Sequence, residues 1–266
     1  MAPAIPALEV TQVTKVYAGR VVLDRLDLTV HRGEALVILG PSGCGKSTLM
    51  RCLIGLEDPD GGSVRLDGVD LSLADARQKR SIRRRMGVAF QGGALFGSMT
   101  VAENIELPLA ELTDLPPPTR RIIARIKLGM VGLEDAMDRR PAELSGGMIK
   151  RAALARALAL DPEFVFFDEP SAGLDPITAA GLDRLLIGLR KTAEMTLVVV
   201  THELASAFAI ADRLALMHEG RFRIIGTPEQ VRSCDDEVVQ RFLTRRPTER
   251  TDSIERFRRF IDELDV

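Results

Sequence analysis

The chain predicts an α/β fold: a parallel sheet carrying helices, with a strand-rich antiparallel subdomain near the N-terminus and a helical subdomain inserted in the core. Three observations predict it. The run ALVIL at Ala35–Leu39 is apolar throughout and leads through a glycine-rich loop into an apolar helix. The runs at 164–167 (FVFF) and 197–200 (LVVV) are apolar at every position, as strands buried on both faces of a parallel sheet are. Each of these runs ends on polar residues, where open α/β sheets collect their ligands.

The first segment reads as strands. Residues 26–30 (LDLTV) alternate cleanly and residues 8–16 less regularly, with Ala18-Gly19 as the turn between them. Tyr17 is the one tyrosine of a chain without tryptophan. An aromatic on a strand edge beside a nucleotide can stack a base, a contact worth about 1–3 kcal/mol. Taken alone, Tyr17 is an ordinary strand residue.

The stretch Gly40-Pro41-Ser42-Gly43-Cys44-Gly45-Lys46-Ser47-Thr48 matches G-x-x-x-x-G-K-[ST], with a strand before it and a helix after it. Glycines let backbone N–H groups turn inward around phosphate oxygens, and the helix start adds its positive end. Lys46 is placed to reach the β- and γ-phosphates, and the Ser47 hydroxyl to ligate Mg²⁺. The pattern predicts a nucleoside-triphosphate site. Cys44 fills a variable loop position on the preferred reading. The alternative is a thiol activated by the helix start.

Beyond the loop helix, 58–62 (DPDGG) is turn chemistry, and Asp67-Gly68 centres a short hairpin. The basic run at 79–85 (KRSIRRR) reads as a solvated helix face, since no aromatic is interleaved for base stacking. Residues 86–90 form a short strand ending at Gln91. Helical texture follows over about 98–160: 100–107, then 119–130 after a break at Pro116, Pro117 and Pro118, then 146–160.

Composition excludes several classes. A formal net charge of −2 and a pI near 6.0 argue against a surface that coats nucleic acid, and no nucleic-acid partner is expected. Three cysteines and no secretory leader predict a reducing, cytosolic location. The apolar runs are far shorter than the roughly 20 residues that cross a bilayer, so work at a membrane needs another chain to span it.

The polar strand ends form a set: Gln91 after 86–90, Asp168 and Glu169 after 164–167, and Thr201, His202 and Glu203 after 197–200. One carboxylate can hold Mg²⁺ while the next orients or deprotonates water. Further, Ser145, Gly146 and Gly147 open a second helix suited to an anion, which one phosphate cannot share with the first within a compact monomer. At this point the chain resembles the nucleotide-binding subunit of ABC ATPases, from Leu8 to about Leu243. Tyr17 fits the adenine-stacking aromatic, Gln91 the glutamine loop, and LSGGM at 144–148 the signature motif. Asp168 and Glu169 fit the Mg²⁺-binding and catalytic carboxylates, SAGLD at 171–175 the dimer-contact loop, and His202 the switch histidine.

The resemblance implies a head-to-tail homodimer, each ATP lying between the phosphate loop of one copy and the signature of the other. It implies a catalytic set of Glu169, His202, Gln91 and Lys46, and a Mg²⁺ set of Ser47, Gln91 and Asp168. Met148 stands where the family has glutamine. That departure, with the stretches at 91–96 and 167–178, is similar to the ATPase of MCE-associated, Mla-type phospholipid transporters. The implied partners are an integral membrane permease, an MCE-domain lipid binder and a small STAS-domain protein, at the cytoplasmic face of a bacterial inner membrane. Two alternatives stay open: an importer ATPase for amino acids or other small polar solutes, and a non-transport ABC protein acting on nucleic acid or ribosomes.

The expected ATPase domain is 1–244, leaving 245–266 as a linker and docking helix. Asp252 and Glu255 resemble a capping box, and Ile254, Phe257, Phe260, Ile261 and Leu264 share one helical face. A helix so short needs a partner for its apolar stripe.

Overall fold

A computed structural model describes residues 6–245. Strands β1 (Leu8–Tyr17) and β2 (Arg20–Val30) form a hairpin whose turn residues, Ala18 and Gly19, both have positive φ. Then β3 (Ala35–Leu39) feeds the phosphate loop and α1 (Lys46–Leu53). A second hairpin, β4 (Gly61–Leu66) and β5 (Val69–Asp70), leads to α2 (Ala76–Arg84) and β6 (Met86–Ala89). Three helices follow, α3 (Val101–Leu112), α4 (Pro117–Met130) and α5 (Gly146–Ala157). The chain continues through β7 (Phe164–Asp168), α6 (Pro176–Ala193), β8 (Thr196–Thr201), α7 (Leu204–Ile210), β9 (Arg213–His218) and β10 (Arg221–Gly226). It closes the described region with α8 (Pro228–Arg232) and α9 (Glu237–Leu243).

Two sheets result. The six-stranded one has the order β10-β9-β3-β8-β7-β6, parallel except for the edge strand β10. The four-stranded antiparallel one has the order β2-β1-β4-β5. Alternation along the central strands separates two cores. Val37, Leu39, Val165, Phe167 and Val199 face the layer that holds α3, α4 and α5. Leu36, Ile38, Phe164, Phe166 and Val200 face α1 and the antiparallel sheet.

Several boundaries differ from expectation. Helix α3 runs on through Pro108 to Leu112, and its start is fixed by a capping box in which Thr100 and Glu103 satisfy each other's backbone N–H. Pro117 and Pro118 open α4 and do not break it, because the first turn needs no donor there. The basic run lies on α2, with Ile82 buried and Arg80, Arg83 and Arg84 outward. Arg85 departs from this: its guanidinium pairs with Glu163 at 2.7 Å and with Asp67, stapling the antiparallel sheet to the start of β7. Tyr17 ends an interior strand of its sheet, not an edge strand. The loose alternation of β1 comes from register shifts after Val10 and Val13, with Gln12 at φ 49°. The predicted C-terminal helix lies outside the described residues.

Candidate functional site

Parallel register sets the site edge. Leu39 pairs with Thr201, Val200 with Asp168, and Phe167 with Ala89, so β3, β8, β7 and β6 end level with one another. The phosphate loop, His202, the acidic pair and Gln91 therefore emerge side by side.

The loop passes too close to the neighbouring strand and hairpin for side chains at two glycines. A Cβ on Gly40 would lie 2.2 Å from the Met217 carbonyl oxygen, and one on Gly45, at φ 108°, 2.9 Å from the Val22 carbonyl oxygen. Helix α1 begins directly after Gly45 with no side-chain cap and no acid in its first turn. Its leading N–H groups meet no competing side-chain acceptor, which suits an anion. Lys46 is buried, and its Nζ donates to the carbonyls of Gly40 at 2.7 Å and Pro41 at 2.9 Å. An ammonium has three donors, so one is left for a phosphate oxygen. Ser47 and Thr48 follow, both partly exposed, while Ser42 and Gly43 lie open at the loop tip. Cys44 is buried, and burial pushes its thiol up against the weaker pull of Lys46. Both oppose the activated-thiol alternative, and Cys44 packs in the core that holds α1.

Asp168 closes β7. Burial, then repulsion from Glu169, holds its carboxyl above the usual carboxylate range, against the pull of Arg51, Lys46 and Lys150. Its Oδ1 is buried with no hydrogen-bond partner. Such an oxygen, on a strand that ends level with the one feeding the phosphate loop, fits a hard cation such as Mg²⁺, for which Ser47 and Gln91 are the further candidate oxygen donors.

Glu169 is buried and has φ 52°, the left-handed region, which non-glycine residues occupy at a cost. Its Oε1 lies 2.8 Å from His202 Nδ1, and its Oε2 accepts from Thr201 Oγ1 at 3.0 Å and from the His202 N–H at 3.3 Å. The carboxylate is thus held from the end of β8. Sequence reasoning marks neither Thr201 nor Lys150, whose Nζ donates to the Glu169 carbonyl at 3.0 Å, as a partner of this residue.

Gln91 is exposed at the end of β6, and the segment after it is fixed to two helices. Arg156 of α5 donates to the carbonyls of Ala94 at 2.8 Å and Gly93 at 2.9 Å. Buried Asn104 of α3 accepts from Phe96 N–H at 2.7 Å and donates to its carbonyl at 3.2 Å. A shift of this segment would therefore be felt in both helices.

Two elements lie elsewhere. Tyr17 leaves much of its ring exposed and hydrogen-bonds Glu57 through its hydroxyl; Glu57 pairs with Arg51 of α1 at 3.2 Å. That bridge ties the aromatic to the helix that starts at the phosphate loop. Ser145 caps α5, its Oγ accepting from Met148 N–H at 3.3 Å, which leaves its own O–H to donate. Ser145 and Gly146 are exposed, and the neighbouring Gly147 packs against the start of α6, where a Cβ would lie 2.9 Å from Thr178 Cγ2. Helix α5 packs on β6, α3, α4 and α6, whereas α1 packs on β2, β7 and β8. The two anion-suited helix starts belong to different layers of the same chain. Asp175 caps α6 through the N–H groups of Ile177 and Thr178.

The ABC transporter family model matches residues 23–172. The chain is 40% identical over 225 residues to the intermembrane phospholipid transport system ATP-binding protein MlaF of Escherichia coli K12, covering 85% of this chain and 84% of that one. It is 39% identical over 240 residues to the probable ribonucleotide transport ATP-binding protein mkl of Mycobacterium tuberculosis H37Rv, covering 90% and 67%. The dimeric ATP-binding cassette MJ0796, in a post-hydrolysis state with ADP and Pi, superposes with a TM-score of 0.77 at 32% identity, covering 83% of this chain and 98% of that one. The cbiO1 chain of Clostridium perfringens, part of the ABC transporter complex cbiONQ, gives 0.77 at 28% identity, covering 91% and 95%. The family model spans more than half of the chain and the relatives align along most of it: this chain belongs to the ABC transporter family, as one of its ATP-binding and ATP-hydrolysing subunits.

Proposed function

We propose that two copies of this chain clamp ATP between them and drive a separate membrane permease that moves phospholipid between envelope membranes. The observation that carries the paired arrangement is the placement of two anion-suited helix starts, α1 and α5, in different layers of one chain. A second copy gives the α5 start a phosphate to meet. The lipid cargo is supported by the likeness to MlaF and by the signature methionine. The mkl relatives, named for ribonucleotide transport, give the rival cargo.

In this reading Lys46 and the loop N–H groups hold the β- and γ-phosphates, and the Tyr17 ring stacks the adenine. Ser145, Gly146 and Gly147 of the other copy close over the γ-phosphate. Ser47, Asp168 and Gln91 would hold Mg²⁺, which when bound offsets the phosphate charge. Glu169 takes the proton of the attacking water, while His202 and Thr201 keep its carboxylate aimed. Gln91 reports to the permease. Beside it an apolar groove lined by Val88, Phe90, Phe96, Leu107 and Leu112 offers a surface for a permease segment. Among the described residues no helix is long and apolar enough to cross a membrane. The likeness to MlaF supports a place for this chain at the cytoplasmic face of the inner membrane, peripheral to the permease.

The test is affinity purification from native membranes with lipid extraction. An integral permease, an MCE-domain protein, a small STAS-domain protein and bound phospholipid are expected. A complex with a small-solute binding protein and no phospholipid would contradict the lipid reading.

Met148 is partly buried against the core that includes α5, so it packs and does not hold phosphate. Met148→Gln is expected to keep ATP turnover within about threefold of the native rate in a steady-state assay. We further propose that residues 245–266 are a linker and amphipathic helix that docks on the neighbouring subunit or the STAS-domain partner. Deleting 248–266 should leave ATP binding intact and weaken the complex on size-exclusion chromatography; an unchanged complex would sink the docking idea.

A further inference from the structure

Lys150 lies between the two functional faces of the chain. It stands in the second turn of α5, the helix capped by Ser145, and is partly buried. Its Nζ does not turn to solvent but donates to the backbone carbonyl of Glu169 at 3.0 Å. Glu169 needs such a hold. Its left-handed φ of 52° is unfavourable for a non-glycine residue, a cost that its surroundings must offset. On one side of the residue the Glu169 N–H donates to the Val200 carbonyl at 2.8 Å, tying it to β8. On the other side the Glu169 carbonyl accepts from the Ala172 N–H at 3.3 Å, within its own loop, and at the shorter 3.0 Å from the Lys150 ammonium, which ties it to α5. The bonds from β8 and α5 come from different layers and hold one peptide on each flank of the strained residue.

We infer that Lys150 is a positioning residue for Glu169, coupling the signature end of α5 to the base of the chain's own ATP site. The inference rests on the reading of Glu169 as the base and of Ser145 as a contact to the ATP held by the other copy. A displacement of α5 on closing over that ATP is passed through Lys150 to the Glu169 carbonyl, so each copy aligns its own base as it engages its partner's nucleotide. Lysine suits this role because it is long enough to reach across from α5, and because a charged donor makes a stronger bond to a carbonyl than a neutral one.

The experiment is steady-state ATP hydrolysis by the assembled complex carrying Lys150→Met, which keeps length but has no donor, and Lys150→Arg, which keeps a charged one. Lys150→Met should lower kcat about tenfold with KM for ATP within about twofold, and Lys150→Arg should recover most of that loss. In a Glu169→Gln background, Lys150→Met should add less than about twofold, because its effect passes through Glu169. Unchanged kcat in Lys150→Met, or a full additional loss in the double variant, would overturn the inference. If Lys150→Met does not fold, Lys150→Leu, which also has no donor, decides: reduced kcat at unchanged KM supports the inference, and unchanged kcat overturns it. Native turnover in Glu169→Gln alone would remove the base reading and this inference with it. A large loss there beside a silent Lys150→Met would overturn only the role of Lys150.

Discussion

Glu169→Gln is expected to slow ATP turnover about 100-fold or more while leaving nucleotide binding intact. The substitution removes the proposed proton acceptor and keeps the shape. An amide oxygen can still accept from Thr201 Oγ1 and the His202 N–H, which now hold Oε2 at 3.0 and 3.3 Å. The backbone clamp from Val200 and Lys150 is untouched, so the left-handed conformation should persist. None of the phosphate contacts proposed for Lys46 and the loop involve this side chain. The measurement is single-turnover hydrolysis beside equilibrium ATP binding. Native turnover would show that Glu169 is not the base.

Lys46→Ala should act at the opposite step, weakening ATP binding by about 100-fold, the loss expected for one charge-assisted contact of about 3 kcal/mol. Lys46 is buried at the loop mouth, its ammonium already desolvated and held by two carbonyls. Little reorganisation is needed for its third donor to meet a phosphate, so its removal is felt at binding. Isothermal titration with ATP checks it, and an affinity within a few-fold of native would contradict the assignment. Ser145→Arg makes a useful contrast, since Ser145 is exposed at the α5 start and far along the chain from the loop. ATP should bind to that variant as a monomer, with hydrolysis lost.

The site edge is readable in the sequence because parallel strands buried on both faces leave little ambiguity. The run Ala35–Leu39 is apolar at every position and bounded by Glu34 and Gly40, and the strand occupies those residues. The same holds for β7 and β8 to within a residue or so at each end. Where alternation is broken the pattern blurs. The bulged β1, with Gln12 at positive φ, is the example. Helix α3 outruns its expected end near Pro108, because proline removes only one N–H from a helix already fixed by its capping box and its buried face. Strand β9 carries no mark of its own, since a short apolar run, LALM between Arg213 and His218, has no period to favour strand over helix. Thr201 and Lys150 are invisible as partners of Glu169 for a different reason. They stand 32 and 19 residues away, and their contacts exist only once β8 is paired with β7 and α5 is packed on β6. Motifs announce the groups proposed to touch ATP, whereas packing supplies the groups that hold them in place.

The claim that each ATP site is shared between two copies is tested most directly by mixing two inactive variants. Lys46→Ala has a damaged phosphate loop and an intact signature; Ser145→Arg has the reverse. A mixed pair of them contains one site with both parts intact and one with neither. Subunits at equal amounts pair at random, so hydrolysis should return to about a quarter of the native rate, since half of the pairs are mixed and each carries one of two sites. A mixture as inactive as either variant alone would contradict the shared site and with it the paired mechanism.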